Sequence, residues 1–477
     1  MHDSTRVRYK ILAYCFGMSV LLYLDRFALS VAQPDIKAQL HLDDLQMGYV
    51  TSAFFYVYAL AQVPAGWFSD RCGARLTLSL YVAAWSVALI GLGTANGLWS
   101  LIVFRALLGL AQAGAYPCAG ANNKRWFPIA ERGLANSLVT MGGRAGNLLA
   151  VVLTPYLMLA IARFAGDSIA PWRPVFMMYG SLGLIWSIGY YRYARNSPRE
   201  HAACSDTERR YVLGESFADD VDPSGPVSDA LAGQGLAQEV DQRATRVGAA
   251  RSQQPAVPRS TDASVISWLA SSTVAHILRS PTLWVMCSIS ILVNVGWIFL
   301  VTFLPTYLKE KHELRIELVG LLVAIPGIAS MCGGIFGGRM TDFLVQRYGL
   351  KIGRRATGVI ASAGAATLYL VALTTNDWRI LIGLFAAIGF LIDFGLGSLW
   401  AVYQDIAGQR VAAVLGFANM CGNLAAGVFS TEIGRFAKAG NWSAIFMIAA
   451  AALFTNFFLW FGVNPTRKMQ FEEERAA

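Results

Sequence analysis

Five charged side chains stand inside long apolar runs of the sequence, where no solvent stabilises a charge: Asp25, Arg26, Arg105, Arg144 and Asp393. A charge near the centre of a bilayer costs about 2.5–3.5 kcal/mol on insertion scales, so it is seldom kept without a partner or a water-filled cavity. The arginines are too many for Asp25 alone. Their surplus indicates a negatively charged ligand, to which a guanidinium offers a bidentate fit. The alternative interpretation is an ion-pair network with a purely structural role.

Depth along the helices predicts how these charges pair. Asp25 lies about 22 Å into its run, and Arg105 lies about 9 Å into a run that enters from the other side. In an apolar core of about 30 Å these depths match and predict an Asp25–Arg105 ion pair. Arg26 is turned by about 100° from Asp25 and is predicted to face a cavity. Arg105 is also predicted to contact the ligand, and so are four side chains near the middle of their runs: Arg144, Asn147, Asn294 and Asn423.

A short charged loop, GWFSDRCGAR, begins at Gly66 between two apolar runs. Its glycines, Gly66 and Gly73, allow a tight turn and close helix approach. Arg71 and Arg75 are predicted to keep the loop on the cytoplasmic side and to be gating residues together with Asp70. Asp70 is not needed for that topology. Its carboxylate is predicted to be a gating latch, which binds a helix N-terminus or an arginine in one conformation and releases it in another.

The composition is that of a polytopic membrane protein. Of 477 residues, 55% are hydrophobic and 14% charged, and the mean hydropathy is +0.45. The net charge of +9 falls in loops between apolar runs, which is a topology signal and not a nucleic-acid-binding surface. A helix of about 20 apolar residues crosses a bilayer. We predict twelve such helices, at about 11–31, 45–67, 76–95, 98–119, 134–160, 174–193, 282–307, 319–338, 356–374, 380–402, 411–433 and 442–463.

The second half of the sequence repeats features of the first. Gly66 and Asp70 recur as Gly338 and Asp342, and the Gly-Asn-Leu run that begins at Gly146 recurs in the eleventh predicted helix. The repeat predicts two parallel six-helix units with a binding site near the middle of the membrane where they meet. Asp342 is accordingly predicted to be a second gating residue.

The predicted units are residues 1–193 and 282–477, joined by a cytoplasmic linker at 194–281. From 214 to 263 the linker is rich in Ala, Gly, Gln, Asp, Arg and Pro and is predicted to be disordered. The segment SVISWLASSTVAHILRS that follows is predicted to form a short amphipathic helix on the membrane surface. The linker is either a passive tether or a regulatory element.

The loop pattern G-x-x-x-D-R-x-G-x-R resembles the signature of the major facilitator superfamily. The phrases YLDR, GYVTSAFFYVYALAQVPAGW and RALLGLAQAGAYP narrow the resemblance to its anion:cation symporter family, whose bacterial members carry sugar acids. The resemblance covers all the predicted helices. It implies an all-α integral membrane fold in two six-helix halves, located in the inner (cytoplasmic) membrane with both termini in the cytoplasm.

The resemblance also implies roles for individual residues. Arg26 and Tyr58 match family residues that hold the substrate carboxylate, and Asn419 matches a polar substrate contact. Asp25 matches a proton-carrying acid, and Arg105 matches the arginine that pairs with it.

One position departs from the family pattern. The second titratable acid of the family, seven residues after the arginine of the fourth helix, is Gln112 here. Asp393 lies at a matching depth in the opposite half, about 21 Å into its helix against about 20 Å for Gln112. We predict that Asp393 restores the second proton-carrying site. The alternative is that Asp393 pairs with an arginine or caps a loose backbone turn beside Gly395 and Gly397.

These observations predict a secondary active transporter that imports a small organic anion, such as a hexuronate or aldonate, by proton symport and alternating access. An exchanger or uniporter without proton coupling is the first alternative, and a non-transporting membrane receptor is the alternative from another class. No nucleophile–base pair or metal-ligand cluster occurs among the five histidines. No enzyme, catalytic residue, metal or cofactor is therefore expected. The expected partners are the anion, a proton and the lipid bilayer, without nucleic acid, and a monomer is expected.

Overall fold

The computed structural model describes residues 5–165, 169–214 and 280–469, and these residues are predominantly helical. The helices are α1 Val7–Leu40, α2 Asp44–Cys72, α3 Ala74–Gly93, α4 Leu98–Gln112, α5 Ala115–Trp126, α6 Arg132–Ala165, α7 Trp172–Tyr193, α8 Asp206–Leu213, α9 Pro281–Ile298, α10 Leu304–His312, α11 Ile316–Ala372, α12 Trp378–Ile406, α13 Val411–Lys438 and α14 Trp442–Gly462.

The prediction of twelve membrane-spanning helices is confirmed. Among the described residues, nine helical stretches are long and apolar enough to cross a membrane by length and composition. The stretch that contains α11 holds two of the predicted spans. Helices α2 and α7, with 29 and 22 residues, are also long enough to cross a core of about 30 Å. Helices α4 and α5 together form one span, as do α9, a π-helical turn and α10.

Two glycines make the tight turns between the second and third spans of each half. Gly73 separates α2 from α3 with φ 80°, and Gly349 breaks the helical backbone within α11 with φ 81°. This left-handed region is accessible to glycine without steric cost. The equivalent turns extend the repeat between the halves beyond the motifs seen in the sequence.

Both termini of the described chain lie at one end of the bundle, which we call the latch end because it contains Asp70 and Asp342. Near the N-terminus, Arg8 forms an ion pair with Glu131, just before α6. Near the C-terminus, the backbone N–H of Met469 donates to the carbonyl of Ile406, where α12 ends. The opposite end of the bundle is called the far end.

The segment after α7 packs against the start of α1. The Glu208 carboxylate on α8 accepts hydrogen bonds from the backbone N–H groups of Val7 and Arg8, at 3.1 and 3.0 Å, and so caps α1. The predicted linker therefore begins with an ordered helix that its composition did not reveal. The predicted amphipathic segment and nearly all of the stretch predicted to be disordered lie outside the described residues.

Candidate functional site

A cavity of about 170 Å³ lies between the two halves. It is lined by α1, α2, α5 and α6 from the first half and by α9, α12 and α13 from the second. Most of the predicted ligand contacts and one predicted proton carrier line it: Arg26, Tyr58, Arg144, Asn294, Asn419, Asn423 and Asp393. Two predicted ligand contacts are not among the lining residues: Asn147, which is half-buried, and Arg105, which is buried. The structure thus brings together side chains that are far apart in the sequence; Arg26 and Asn423, for example, are separated by 397 positions.

Arg26 is held in an aromatic box on one wall of the cavity. Its guanidinium carbon lies 5.1, 4.9 and 4.6 Å from the ring centres of Tyr23, Phe54 and Tyr58. Its Nη2 donates to Gln112 Oε1 at 3.4 Å, and its Nε is buried without a hydrogen-bond partner. The contacts with aromatic faces stabilise the cation and leave N–H donors for an anionic ligand.

Arg144 and Asp393 join the two halves across the cavity. The Arg144 Nε and Nη2 donate to the two carboxylate oxygens of Asp393 at 3.2 and 3.0 Å, which is bidentate geometry. The guanidinium also lies 3.6 Å from the ring centre of Trp297 on α9. In this conformation Asp393 is paired with an arginine, which is one of the two interpretations of Asp393. Arg144 is therefore no longer one of the arginines that lack an acidic partner.

The predicted Asp25–Arg105 ion pair is wrong for this conformation. Both residues are buried, but neither Asp25 carboxylate oxygen has a hydrogen-bond partner, and the Nε and Nη1 of Arg105 also have none. Asp25 faces Trp85 on α3 and Tyr179 on α7, inside the first half. Arg105 instead lies 4.6 Å from the ring centre of Phe54 on α2. Matching depth did not fix the direction in which each side chain leaves its helix.

Amides orient several of the lining groups. The Gln112 side chain accepts from Arg26 and donates to the carbonyl of Leu22 at 3.5 Å, so it links α4 to α1 at two points. The Asn419 amide donates to the Tyr58 hydroxyl at 3.4 Å, across the two halves. Asn423 donates to the Asn419 carbonyl at 2.7 Å. Gln112 therefore positions Arg26 although it cannot carry a proton.

Sequence reasoning missed the aromatic lining of the cavity, because an aromatic residue in an apolar run is normally read as core. The Tyr116 and Trp400 rings lie 5.9 Å apart across the halves. The Tyr403 hydroxyl donates to the Met286 carbonyl at 2.7 Å, which fixes its ring at the cavity wall. Tyr116 could have been predicted as a cavity residue, since it lies in RALLGLAQAGAYP, one of the motifs that carried the family resemblance.

The predicted latches Asp70 and Asp342 both bind helix N-termini of the opposite half. Asp70 accepts from the backbone N–H groups of Ala412 and Ala413 on α13, at 2.9 Å each. Asp342 accepts from those of Gly133 and Leu134 on α6, at 2.9 and 2.8 Å. A carboxylate at a helix N-terminus satisfies unpaired N–H groups and interacts favourably with the helix dipole.

A second set of charges reinforces the Asp342 latch. The buried Arg354 donates to Asp342 at 3.2 Å and to Asp405 at 3.1 Å, and Arg132 donates to Asp405 at 2.9 Å. Asp405 was not predicted from the sequence as the partner of Arg354. The predicted gating residue Arg75 binds the Tyr191 carbonyl in its own half at 2.9 Å, and Arg71 stacks on Trp67.

Buried amides close the space between the cavity and the latches. Asn136 donates to Gln404 at 3.0 Å across the halves, and Gln404 donates to the Gly120 carbonyl at 2.8 Å. Asn123 donates to Asn136 at 3.1 Å. With the latches formed and these amides buried, the cavity is closed toward the latch end. Reversible closure of one end around a central cavity is what alternating access requires.

Comparisons with known proteins agree with this architecture. The family model of the Major Facilitator Superfamily matches residues 15–430 of this chain. The chain is 27% identical to a probable sulfoacetate transporter of Cupriavidus necator, over 100% of this chain and 98% of the relative. It is 28% identical to a D-galactonate transporter of Escherichia coli, over 94% of each chain. A probable galactarate/D-glucarate transporter of Escherichia coli is 26% identical over 98% of each chain.

Among solved structures, the proton:xylose symporter XylE has the same fold, with a TM-score of 0.66 and 16% identity over 99% of each chain. The family match spans most of the sequence, and the relatives are transporters along their whole length. The chain therefore belongs to the major facilitator superfamily and is a multi-pass membrane carrier, not an enzyme.

Proposed function

We propose that this carrier imports a small organic anion, namely a sugar acid such as an aldonate or hexuronate, by proton symport and alternating access. The observation that carries the proposal is Arg26, a guanidinium in the central cavity with a buried Nε that no protein acceptor satisfies. A carboxylate is the ligand that matches such a donor. The names of the relatives, which include galactonate, galactarate and glucarate transporters, support the same ligand class.

Proton coupling is assigned to Asp25 and Asp393. Asp25 is buried with both oxygens lacking a hydrogen-bond partner. A proton on this carboxyl group would remove the cost of an unpaired buried charge. Asp393 is neutralised by Arg144 in this conformation and would take a proton when that arginine is drawn away.

Membrane orientation follows from the same proposal. The latch end carries Arg71, Arg75, Arg125, Arg132 and Arg354 and is assigned to the cytoplasm of a bacterial inner membrane, where cationic loops are retained. Both termini and the linker then lie in the cytoplasm, residues 1–193 and 282–477 form the two moving units, and the working unit is a monomer. The cavity is closed toward the cytoplasm, as in an importer that awaits substrate from outside.

An exchanger or uniporter is the second candidate, favoured by Gln112 in place of an acid. Uptake into proteoliposomes distinguishes the candidates. D-galactonate, D-glucarate, D-glucuronate and sulfoacetate are offered with and without an inward proton gradient, and Arg26→Gln is the control. Concentrative uptake of a sugar acid that requires the gradient is the expected result. Uptake that only equilibrates, or needs a preloaded anion, supports the second candidate, and no uptake of any sugar acid contradicts the proposed substrate class.

A further inference from the structure

The Arg144–Asp393 ion pair lies at the cavity end of the contact between α6 of the first half and α12 of the second. Helices α6 and α12 run past each other from the latch end, where Arg132 pairs with Asp405. Nearer the cavity α6 and α12 approach each other closely: a Cβ atom on Gly397 would lie 2.2 Å from Ser137 Oγ and 2.8 Å from the backbone carbonyl oxygen of Gly133. Arg144 is eleven residues after Gly133, or about 16 Å farther along α6 at 1.5 Å per residue.

In the part of the chain that the structure describes, no hydrogen bond or ion pair between α6 and α12 lies beyond this ion pair toward the far end. Leu148 lies one turn beyond Arg144 on the same face of α6, and it is 45% exposed. The ion pair is thus the outermost polar link between these helices and also lines the cavity, where a ligand can reach it.

The two partners are unequally accessible. The Arg144 side chain is 21% exposed, whereas Asp393 is fully buried. Asp393 uses two of the five N–H donors of the guanidinium, which leaves three for a ligand. Separation of the halves without a replacement would leave a buried carboxylate and a buried arginine unpaired, which is strongly unfavourable.

We propose that the Arg144–Asp393 pair marks a second anion subsite, which the Asp393 carboxylate occupies while the carrier is empty. A substrate with two anionic groups binds Arg26 with one and displaces Asp393 from Arg144 with the other. The displacement breaks the outermost polar link between α6 and α12 and so permits opening at the latch end. The preferred substrate is therefore a small dianion, such as an aldarate, and not a monoanion. This inference rests on the proposed transport of organic anions.

The first experiment tests the link without any substrate. Spin labels are placed at Gln409→Cys in the second half and at Ala202→Cys in the ordered start of the linker, which packs against α1 of the first half; both positions are exposed at the latch end. They report the distance between the halves in a background free of native cysteines. The charge-balanced double variant Arg144→Gln, Asp393→Asn is expected to add a longer-distance population at least several-fold larger than in the parent. The swap Arg144→Asp, Asp393→Arg is expected to restore the parental distribution. A parental distribution in the neutral double variant overturns the proposal.

A matched control removes a different ion pair without changing the net charge. Glu432 and Arg435 form an exposed pair within α13, toward the far end. The double variant Glu432→Gln, Arg435→Gln is expected to leave the distance distribution unchanged. If it broadens the distribution as much as the cavity variant does, the effect is not specific to the link, and the proposal fails.

The second experiment tests the subsite with D-glucarate and D-gluconate, a dianion and a monoanion on the same six-carbon chain. By calorimetry the parent is expected to bind glucarate at least tenfold more tightly. Arg144→Gln should remove this preference, measured as the ratio of the two affinities in the same variant, and Asp393→Asn should tighten glucarate binding several-fold by removing the internal competitor. An unchanged preference in Arg144→Gln, or unchanged glucarate affinity in Asp393→Asn, overturns the subsite. Failure of the parent to bind either sugar acid counts against the proposed function, and the spin-label distances then still decide whether the link exists.

Discussion

Asp70 and Asp342 make the same contact in opposite halves of the protein: each carboxylate accepts from the second and third backbone N–H groups of a helix in the other half. The two contacts differ in their surroundings. Asp342 also binds the buried Arg354, whose guanidinium is shared with Asp405. Around Asp70 the nearby charges are instead those of Arg125 and Arg410, so the two aspartates should respond differently to the same substitution.

Asp70→Asn is expected to slow turnover while leaving substrate affinity in the cavity nearly unchanged. An amide keeps the size of the side chain but loses the charge that favours a helix N-terminus, an interaction of roughly 0.3–2 kcal/mol. Uptake rates and calorimetric affinity in the same preparation check the expectation. A variant with normal turnover and lost binding would show that Asp70 acts on the site and not on the latch.

Asp342→Asn is expected to lower the melting temperature of the detergent-solubilised carrier more than Asp70→Asn does. The substitution weakens the backbone contacts and also removes one of two carboxylates from Arg354, and hydrogen bonds to charged groups contribute about 1.5–3 kcal/mol each. Both variants are compared by thermal unfolding under one set of conditions. Equal decreases in melting temperature would mean that Arg354 adds nothing to the second latch.

Gly66→Ala is expected to shift the carrier toward the state that is open at the latch end. A Cβ atom on Gly66 would lie 2.2 Å from the carbonyl oxygen of Ala412, so α2 and α13 could not close as observed. Gly48→Ala is the matched control, because a Cβ there meets no atom within 4 Å in the same helix. Spin-label distances at the latch end measure the shift, and a parental distribution in Gly66→Ala would refute the close-approach argument.

Arg26→Gln is expected to abolish detectable anion binding while the protein still folds. Each charge-assisted hydrogen bond contributes about 1.5–3 kcal/mol, so the loss of two from a bidentate carboxylate corresponds to roughly a 100–10,000-fold weaker affinity. A substrate identified by uptake is added to parent and variant in a thermal-shift assay. If it stabilises both equally, Arg26 does not hold the anion.

Much of the architecture was predictable because the membrane imposes it. Apolar runs of fixed length predicted the twelve spans, and the repeated Gly–Asp motif predicted that Asp70 and Asp342 are equivalent. Both predictions depend on distance along the chain, which a sequence shows directly. The helix ends were less predictable, as α1 extends to Leu40, well beyond the apolar run.

The pairing of charges was not predictable from depth alone. Asp25 and Arg105 have similar depths but leave their helices toward different neighbours, Trp85 and Phe54 respectively. Side-chain direction depends on how each helix is rotated against the bundle, and one sequence does not specify that rotation. Because helix rotation was unknown, the sequence did not identify the acidic partner of Arg144, and it predicted Asn147 as a ligand contact although this residue does not line the cavity.

The last prediction concerns the second proton site. In the family pattern an acid stands at the position of Gln112, next to the substrate arginine. In this protein Gln112 accepts a hydrogen bond from Arg26 instead. The acid at a matching depth in the other half is Asp393, which is paired with Arg144. If Asp393 takes a proton when substrate displaces it, Asp393→Asn should reduce concentrative, gradient-driven uptake to exchange, since an amide cannot titrate. The double variant Gln112→Glu, Asp393→Asn should recover concentrative uptake, because the new carboxylate stands within reach of Arg26. Uptake is measured against external pH in proteoliposomes, and parental gradient-driven accumulation by Asp393→Asn would exclude the relocated acid. Recovery in the double variant would instead show that the proton site can move between the halves while the coupling is kept.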